Sequence, residues 1–100
     1  LMVTYSSNDE LIALIEELEG QLTATIHGSE VLVQQNADIT ESLSYVVGRL
    51  IYNQMPTGVE VCDAMMHGGP FPSSTDVRST SVGSQAIERF LRPLCIQNAF

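Results

Sequence analysis

The residues that could do chemistry in this chain lie close together, in the stretch Pro56–Pro70. Cys62 has the side chain of a nucleophile, Glu60 that of a general base, and His67 that of a proton carrier or metal ligand. Three glycines in the same stretch could bring backbone N–H groups close to a phosphate: Gly58, Gly68 and Gly69. The types of residue alone are therefore compatible with acyl transfer, proton transfer, metal binding or phosphate binding.

Their sequence neighbours favour a structural interpretation for most of these residues. Cys62 has Asp63 beside it and no basic neighbour that would stabilise a thiolate, so we expect it to line or pack the loop. Glu60 is expected to be a loop carboxylate that accepts hydrogen bonds from backbone N–H groups. For His67 two interpretations stay open: a ring that lines a substrate site, or a histidine held by hydrogen bonds within the loop.

Neither a metal site nor a dinucleotide site is predicted within the chain. His27, Cys62 and His67 have the ligand types that zinc prefers, but their spacing matches no zinc pattern. The glycine loop between strand and helix that holds a dinucleotide is missing, so we expect the chain itself to bind no NAD or NADP. Cys62 and Cys95 are too few for a disulfide framework and are expected to be reduced, as in a cytoplasmic protein.

Strands and helices are predicted to alternate on either side of a long loop, residues 55–80. Apolar and β-branched runs predict strands at Leu1–Tyr5, Leu22–His27 and Arg49–Asn53, with a short strand at Leu94–Gln97. Apolar residues at helical spacing predict three helices: one from the capping box of Ser7 and Glu10 to a left-handed Gly20, one from Gly28 to Gly48, and one from Thr80 to Pro93.

This order predicts an α/β fold: a parallel βαβαβ unit, a long ordered loop, a C-terminal helix and a short terminal strand. Three strands leave two open sheet edges, and the chain begins directly in a strand, so we expect a piece of a longer polypeptide. Ligands of open α/β sheets lie beyond the carboxyl ends of the strands. Because the long loop follows Asn53 at such an end, the loop is predicted to lie at an active-site mouth.

Composition excludes some classes of partner. The chain has 100 residues, a net charge of -8 and four arginines with no lysine. Nucleic-acid surfaces and attraction to anionic membranes both need clustered cations, so neither partner is expected. The carboxylates between Asp9 and Glu19 are expected to form a solvated helix face. No signal peptide and no apolar run of membrane-spanning length is present in this sequence.

Several short motifs resemble the C-terminal part of the catalytic domain of aldehyde dehydrogenases. They are Asn53, Pro56–Val61, His67–Pro70, Thr80–Gly83, Ala86–Ile87, Arg89–Pro93 and Gln97–Asn98, with a weaker match at Leu22–His27. The chain is most similar to the NADP-dependent branch that oxidises ketoglutaric semialdehyde and fatty aldehydes. Cys62 does not match the nucleophilic cysteine of that family, which lies well before the segment that this chain resembles.

The resemblance implies that residues 1–93 are the C-terminal portion of the catalytic domain and that residues 94–100 begin the terminal oligomerisation strand. The parent chain would be a cytoplasmic, homo-oligomeric oxidoreductase that uses NADP or NAD to convert an aldehyde to a carboxylic acid. Its nucleophile, general base and dinucleotide site would all lie outside this chain. The chain alone would therefore be inactive.

Within this chain the resemblance implies substrate-lining residues but no catalytic ones: Val59, Glu60, Val61, Cys62 and His67. The alternative hypothesis is a free-standing acidic α/β interaction module whose binding surface is the long loop. The coding sequence upstream of Leu1 distinguishes the two. A Glu-x-Phe-Gly-Pro-like motif and a cysteine-bearing segment there would favour the dehydrogenase, and a start codon would favour the module.

Overall fold

The computed structural model describes residues 1–99 and has the predicted α/β architecture. Its elements, in chain order, are α1 (Asn8–Glu16), β1 (Gln21–Ile26), α2 (Glu30–Gln35), α3 (Ala37–Val46), β2 (Val47–Tyr52) and a 3₁₀ helix (Ser84–Phe90). The two strands pair in parallel, with Gln21 opposite Val47 and Ile26 opposite Tyr52. A parallel pair requires a crossover connection, which α2 and α3 supply.

The strands predicted at the two ends of the chain are not formed. Leu1–Tyr5 and Leu94–Gln97 are exposed and belong to no sheet within residues 1–99. A strand is stabilised by hydrogen bonds to the edge of a neighbouring strand, and within residues 1–99 neither segment lies at such an edge. The predicted terminal segment 94–100 also includes residue 100, which lies outside the described residues.

Helix α1 begins as predicted but ends differently. The Ser7 hydroxyl accepts a hydrogen bond from the Glu10 N–H at 3.3 Å, and the Glu10 carboxylate accepts one from the Ser6 N–H at 2.7 Å. The helix ends at Glu16, and Gly20 is not left-handed. Gly20 is needed for a close approach instead, because a side chain there would overlap the Pro70 carbonyl of the long loop.

The helix predicted between Gly28 and Gly48 is two helices, divided at Asn36. This residue leaves the helical region, with φ −117° and ψ 44°, and its side-chain amide donates to the Leu32 carbonyl at 2.7 Å. Side chains of this kind compete with the backbone for hydrogen bonds and so interrupt helices. Gly48 does not end the second helix but lies inside β2.

The last helix is shorter and tighter than predicted. It is a 3₁₀ helix that begins after Gly83, whose φ of 96° is left-handed, and it ends at Phe90 rather than at Pro93. Thr80 and Ser81 were expected to cap it, but their side chains bond to the loop instead. Thr80 and Ser81 therefore stabilise the long loop rather than the helix.

Much apolar surface remains uncovered. The described chain exposes 7942 Å², whereas a folded monomer of 10.9 kDa exposes about 5,600 Å². Its radius of gyration is 17.7 Å, against about 13 Å for a compact 100-residue domain. Among the described residues only two apolar side chains, Ile15 and Val47, are buried. This exposure is typical of one part of a larger domain.

None of the helices in residues 1–99 combines the length and the apolar character that a membrane crossing requires.

Candidate functional site

Asn53 attaches the start of the long loop to the carboxyl ends of both strands. Its side-chain oxygen accepts from the Gly28 N–H at 2.9 Å, and its side-chain nitrogen donates to the Gly28 carbonyl at 2.9 Å. Its own N–H donates to the Ile26 carbonyl at 2.9 Å. Asn53 adopts a left-handed φ of 54°, which turns the backbone away from the sheet. The two side-chain bonds to Gly28 then continue the hydrogen bonding between the strands.

The next part of the loop is exposed. In the segment Met55–Val61, Arg49 donates to the Thr57 carbonyl at 3.4 Å, and the Thr57 N–H donates to the Met55 carbonyl at 2.8 Å. Val61 is 75% exposed and Val59 is half-buried. Three of the predicted substrate-lining residues, Val59, Glu60 and Val61, thus belong to a segment that is exposed except at Val59.

Cys62 lies in a turn that contacts the start of the 3₁₀ helix. Its carbonyl accepts from the Met65 N–H at 3.2 Å, and Gly83 comes so close that an added side-chain carbon would lie 2.9 Å from the same carbonyl. The Ser84 hydroxyl bonds to the Asp63 carboxylate beside it. The half-buried thiol of Cys62 is free, as is the exposed thiol of Cys95. The backbone around Cys62 therefore packs the turn against the residues that precede the 3₁₀ helix.

The second half of the loop crosses to the amino ends of the strands. Gly68 and Gly69 lie against Gly48 in β2, and Gly69 also approaches the Gln21 carbonyl at the start of β1. The Gly20 N–H donates to the Phe71 carbonyl at 3.2 Å. The expectation that the loop lies at the carboxyl ends is correct only for its beginning, because two glycine contacts draw the remainder to the opposite end.

His67 lines a surface cleft of about 590 Å³ at this amino end. Leu22 and Arg89 line it too, together with a group of hydroxyl-bearing and acidic residues: Ser73, Ser74, Thr75, Asp76, Ser79 and Ser81. The residues predicted to accompany His67, at positions 59–62, are not among those that line this cleft. The structure thus does not bring the predicted site residues into a single pocket.

The charged groups of the cleft partly offset each other. The backbone N–H of Arg78 donates to the Asp76 carboxylate at 3.0 Å, and this bond, aided by the Ser79 hydroxyl, lowers the pKa of Asp76. Arg89 contributes a smaller electrostatic lowering of the same pKa. Several serine hydroxyls donate inward to backbone carbonyls, so they offer the cleft acceptor oxygens rather than donors. Arg89 supplies a positive charge to this cleft, and the His67 ring can hydrogen-bond to a ligand there.

The described residues do not fit a dinucleotide or a metal. The turn from β1 to α2 contains the single glycine Gly28, whose N–H and carbonyl are both bonded to Asn53, and Glu30 in the first turn of α2 would repel a phosphate. Within residues 1–99 no three His, Cys, Asp or Glu side chains are grouped to hold a metal ion.

We therefore predict that the 100-residue chain binds neither NADP nor NAD. Titration calorimetry with each nucleotide is expected to give no saturable heat. Binding tighter than about 100 μM, or roughly -5.5 kcal/mol, would contradict the prediction. The intact parent protein is the positive control.

Sequence reasoning missed Thr80, whose side chain is bonded to the backbone of His67. The Thr80 hydroxyl is buried and accepts from the His67 N–H at 2.8 Å, but in sequence it resembled an ordinary helix cap. The signal that could have found it is the glycine pair after His67, which requires some other residue to fix the backbone.

Comparison with known proteins gives close sequence relatives. No protein-family model matches the chain. It is 50% identical over 100 residues to an alpha-ketoglutaric semialdehyde dehydrogenase of Acinetobacter baylyi. It is 49% identical over 105 residues to alpha-ketoglutaric semialdehyde dehydrogenase 2 of Azospirillum brasilense. Both matches cover 98% of this chain, which spans about a fifth (19%) of the length of these curated relatives.

Proposed function

We propose that this chain, which belongs to the aldehyde dehydrogenase superfamily, is part of an enzyme that oxidises ketoglutaric semialdehyde or a similar aldehyde to a carboxylic acid. The observation that carries the proposal is the identity of 50% and 49% with two such dehydrogenases over 98% of the chain. The large exposed apolar surface supports it, because a piece of a larger domain needs further protein to cover it. The matches give no support to the free-standing interaction module.

The chemistry itself would be done elsewhere in the parent enzyme. NADP or NAD bound in that other part would supply the hydride acceptor for the aldehyde carbon, and water would supply the second carboxylate oxygen. This chain would contribute the wall of the substrate path through Val59–Cys62 and His67. The support for that role is the exposure of Glu60 and Val61 and the position of His67 in a cleft that Arg89 also lines.

The parent would also be a cytoplasmic homo-oligomer. Leu94 and Ile96 in the tail are 69% and 73% exposed, and unpaired backbone of this kind favours pairing with another edge. We propose that the tail, residues 94–99, pairs with another subunit. The two free thiols are compatible with a reducing compartment.

The proposal is tested on the purified parent enzyme. Ketoglutaric semialdehyde, a long-chain fatty aldehyde and a short neutral aldehyde are each supplied with NADP or NAD, and formation of the reduced nucleotide is followed. Light scattering on the same sample gives the oligomeric state. Turnover of ketoglutaric semialdehyde or the fatty aldehyde supports the proposal. An enzyme that oxidises none of the three aldehydes with either nucleotide contradicts it.

We predict that Cys62→Ser in the parent enzyme keeps kcat within about threefold of wild type, because the hydrogen bond and the close approach at Cys62 both involve its backbone carbonyl and not its thiol. Loss of a true covalent nucleophile lowers kcat by several orders of magnitude. Steady-state kinetics compare this variant with Cys95→Ser, whose exposed thiol makes it a matched control. A fall in kcat of about 1,000-fold or more in Cys62→Ser alone would give Cys62 a covalent role.

A further inference from the structure

The backbone of His67 is held on both sides by two neighbouring residues, Thr80 and Ser81, which we call the His67 clasp. The Thr80 hydroxyl accepts from the His67 N–H at 2.8 Å. The His67 carbonyl accepts from the Ser81 N–H and from the Ser81 hydroxyl, both at 3.0 Å. Both polar backbone groups of His67 are therefore satisfied by residues far away in sequence.

Thr80 is the more tightly held of the two residues. Its side chain is 1% exposed, and among the described residues no other side chain is so fully buried. While it accepts from His67, its hydroxyl donates to the Val82 carbonyl at 2.7 Å. A buried hydroxyl that serves both directions fixes the distance between the loop and the segment before the 3₁₀ helix.

The clasp determines where the His67 ring can lie. Gly68 and Gly69 follow directly, and glycine restricts the backbone least, so the chain after His67 would otherwise adopt many conformations. Within residues 1–99 the ring itself makes no hydrogen bond, and His67 and Arg89 both line the cleft. The ring is thus free to meet a ligand, while its backbone is fixed.

We propose that Thr80 is a positioning residue, which holds the His67 ring at the cleft so that it can contact the aldehyde substrate. This inference rests on the proposed function, since it assigns a task within the same substrate path. Its chemical content is that the substrate has a polar group, such as a carboxylate, within reach of an imidazole and the Arg89 guanidinium. Thr80 acts through His67 and makes no substrate contact of its own.

The test compares three substitutions in the parent enzyme. Thr80→Val keeps the side-chain shape but removes the hydroxyl, so we expect KM for ketoglutaric semialdehyde to rise about tenfold, which corresponds to roughly 1.4 kcal/mol, with kcat nearly unchanged. Thr80→Ser keeps the hydroxyl and should restore KM to within about twofold of wild type. Thr57→Val is the matched control, because Thr57 is exposed, lies outside the cleft and within residues 1–99 is bonded only through its backbone.

A double-mutant cycle separates positioning from simple stability. If Thr80 acts through His67, Thr80→Val in a His67→Ala background should raise KM no further. A merely structural Thr80 would lower the amount of active enzyme and its melting temperature, while KM of the surviving fraction would be unchanged. Equal and additive KM effects in the two backgrounds, or no KM effect at all, overturn the proposal.

Ser81→Ala provides a second route if Thr80→Val does not fold. Ser81 is exposed, and its N–H bond to His67 survives the change, so the fold should be kept and KM should rise about twofold to threefold. An unchanged KM in this folded variant overturns the clasp. Wild-type enzyme that oxidises no aldehyde refutes the proposed function and the inference with it, whereas active wild type with unchanged variants refutes the inference alone.

Discussion

Replacing Gly48 with alanine is expected to destabilise the sheet by about 3 kcal/mol, because the new methyl group would overlap the carbonyl of Gly68. That neighbour is backbone, so it can move only if the loop lifts away from β2. The loop would then lose its contacts at the amino ends of the strands. We expect hydrogen exchange in peptides that cover β1, β2 and residues 66–71 of the parent enzyme to become about 100-fold faster.

Gly58→Ala is the matched control for this prediction. Gly58 lies in the exposed part of the loop with no atom near enough to meet an added methyl group, and its φ is not left-handed. We expect a change below about 0.5 kcal/mol and unaltered exchange. If Gly48→Ala exchanges like Gly58→Ala, the loop does not lie on β2 and the described contact is wrong.

Asn53→Ala is expected to cost about 3 kcal/mol, of which roughly 2 come from the two hydrogen bonds to Gly28 and roughly 1 from the left-handed backbone. The Gly28 N–H and carbonyl would both lose their partner. Because these bonds join the residues that follow β1 and β2, hydrogen exchange at the carboxyl ends of both strands should accelerate. Hydrogen exchange of the parent enzyme measures the effect, and steady-state kinetics show whether the loop keeps its function.

Two further substitutions divide this cost into its parts. Asn53→Gly tolerates the left-handed backbone but loses the side-chain bonds, so it should cost about 2 kcal/mol. Gln54→Ala is the matched control, since Gln54 is the exposed neighbour of Asn53 and within residues 1–99 its side-chain amide makes no hydrogen bond, so the change should cost below about 0.5 kcal/mol. Equal stability of Asn53→Gly and wild type would show that the Gly28 bonds contribute nothing.

The sequence predicted those elements whose signal is local. The start of α1 follows from the Ser7 capping box, and β1 and β2 follow from their β-branched and apolar residues. Leu1–Tyr5 and Leu94–Gln97 have the same apolar character but no neighbouring edge. A strand pattern indicates that a segment can pair with a sheet edge. Whether such an edge lies next to the segment depends on the tertiary structure.

The errors at the glycines have one physical cause. Gly20 and Gly48 were predicted to end helices, because glycine readily adopts the left-handed conformation after a last turn. Both instead lie where a backbone carbonyl of the long loop comes too close for any side chain. The two uses of glycine look alike in sequence, since close approach depends on a chain segment at least twenty residues away.

The candidate site was only partly predictable for a similar reason. His67 was predicted from the family resemblance to line a substrate site, and it does line a cleft. The residues that fix it, Thr80 and Ser81, resembled helix caps, because a hydroxyl before a helix normally bonds within that helix. The role of Val59, Glu60, Val61, Cys62 and His67 in lining a substrate path stays a prediction.

The two halves of the long loop tolerate change in length very differently over evolution. Residues 55–61 are mostly exposed and make few backbone hydrogen bonds. An added or deleted residue there changes only exposed backbone and leaves the rest of the fold in place. Around Gly68–Phe71 a single insertion would shift the carbonyls that lie against Gly20 and Gly48 and would misplace His67 from its bonds to Thr80. Insertions and deletions in descendants of this sequence should therefore accumulate before Cys62 and be eliminated after it.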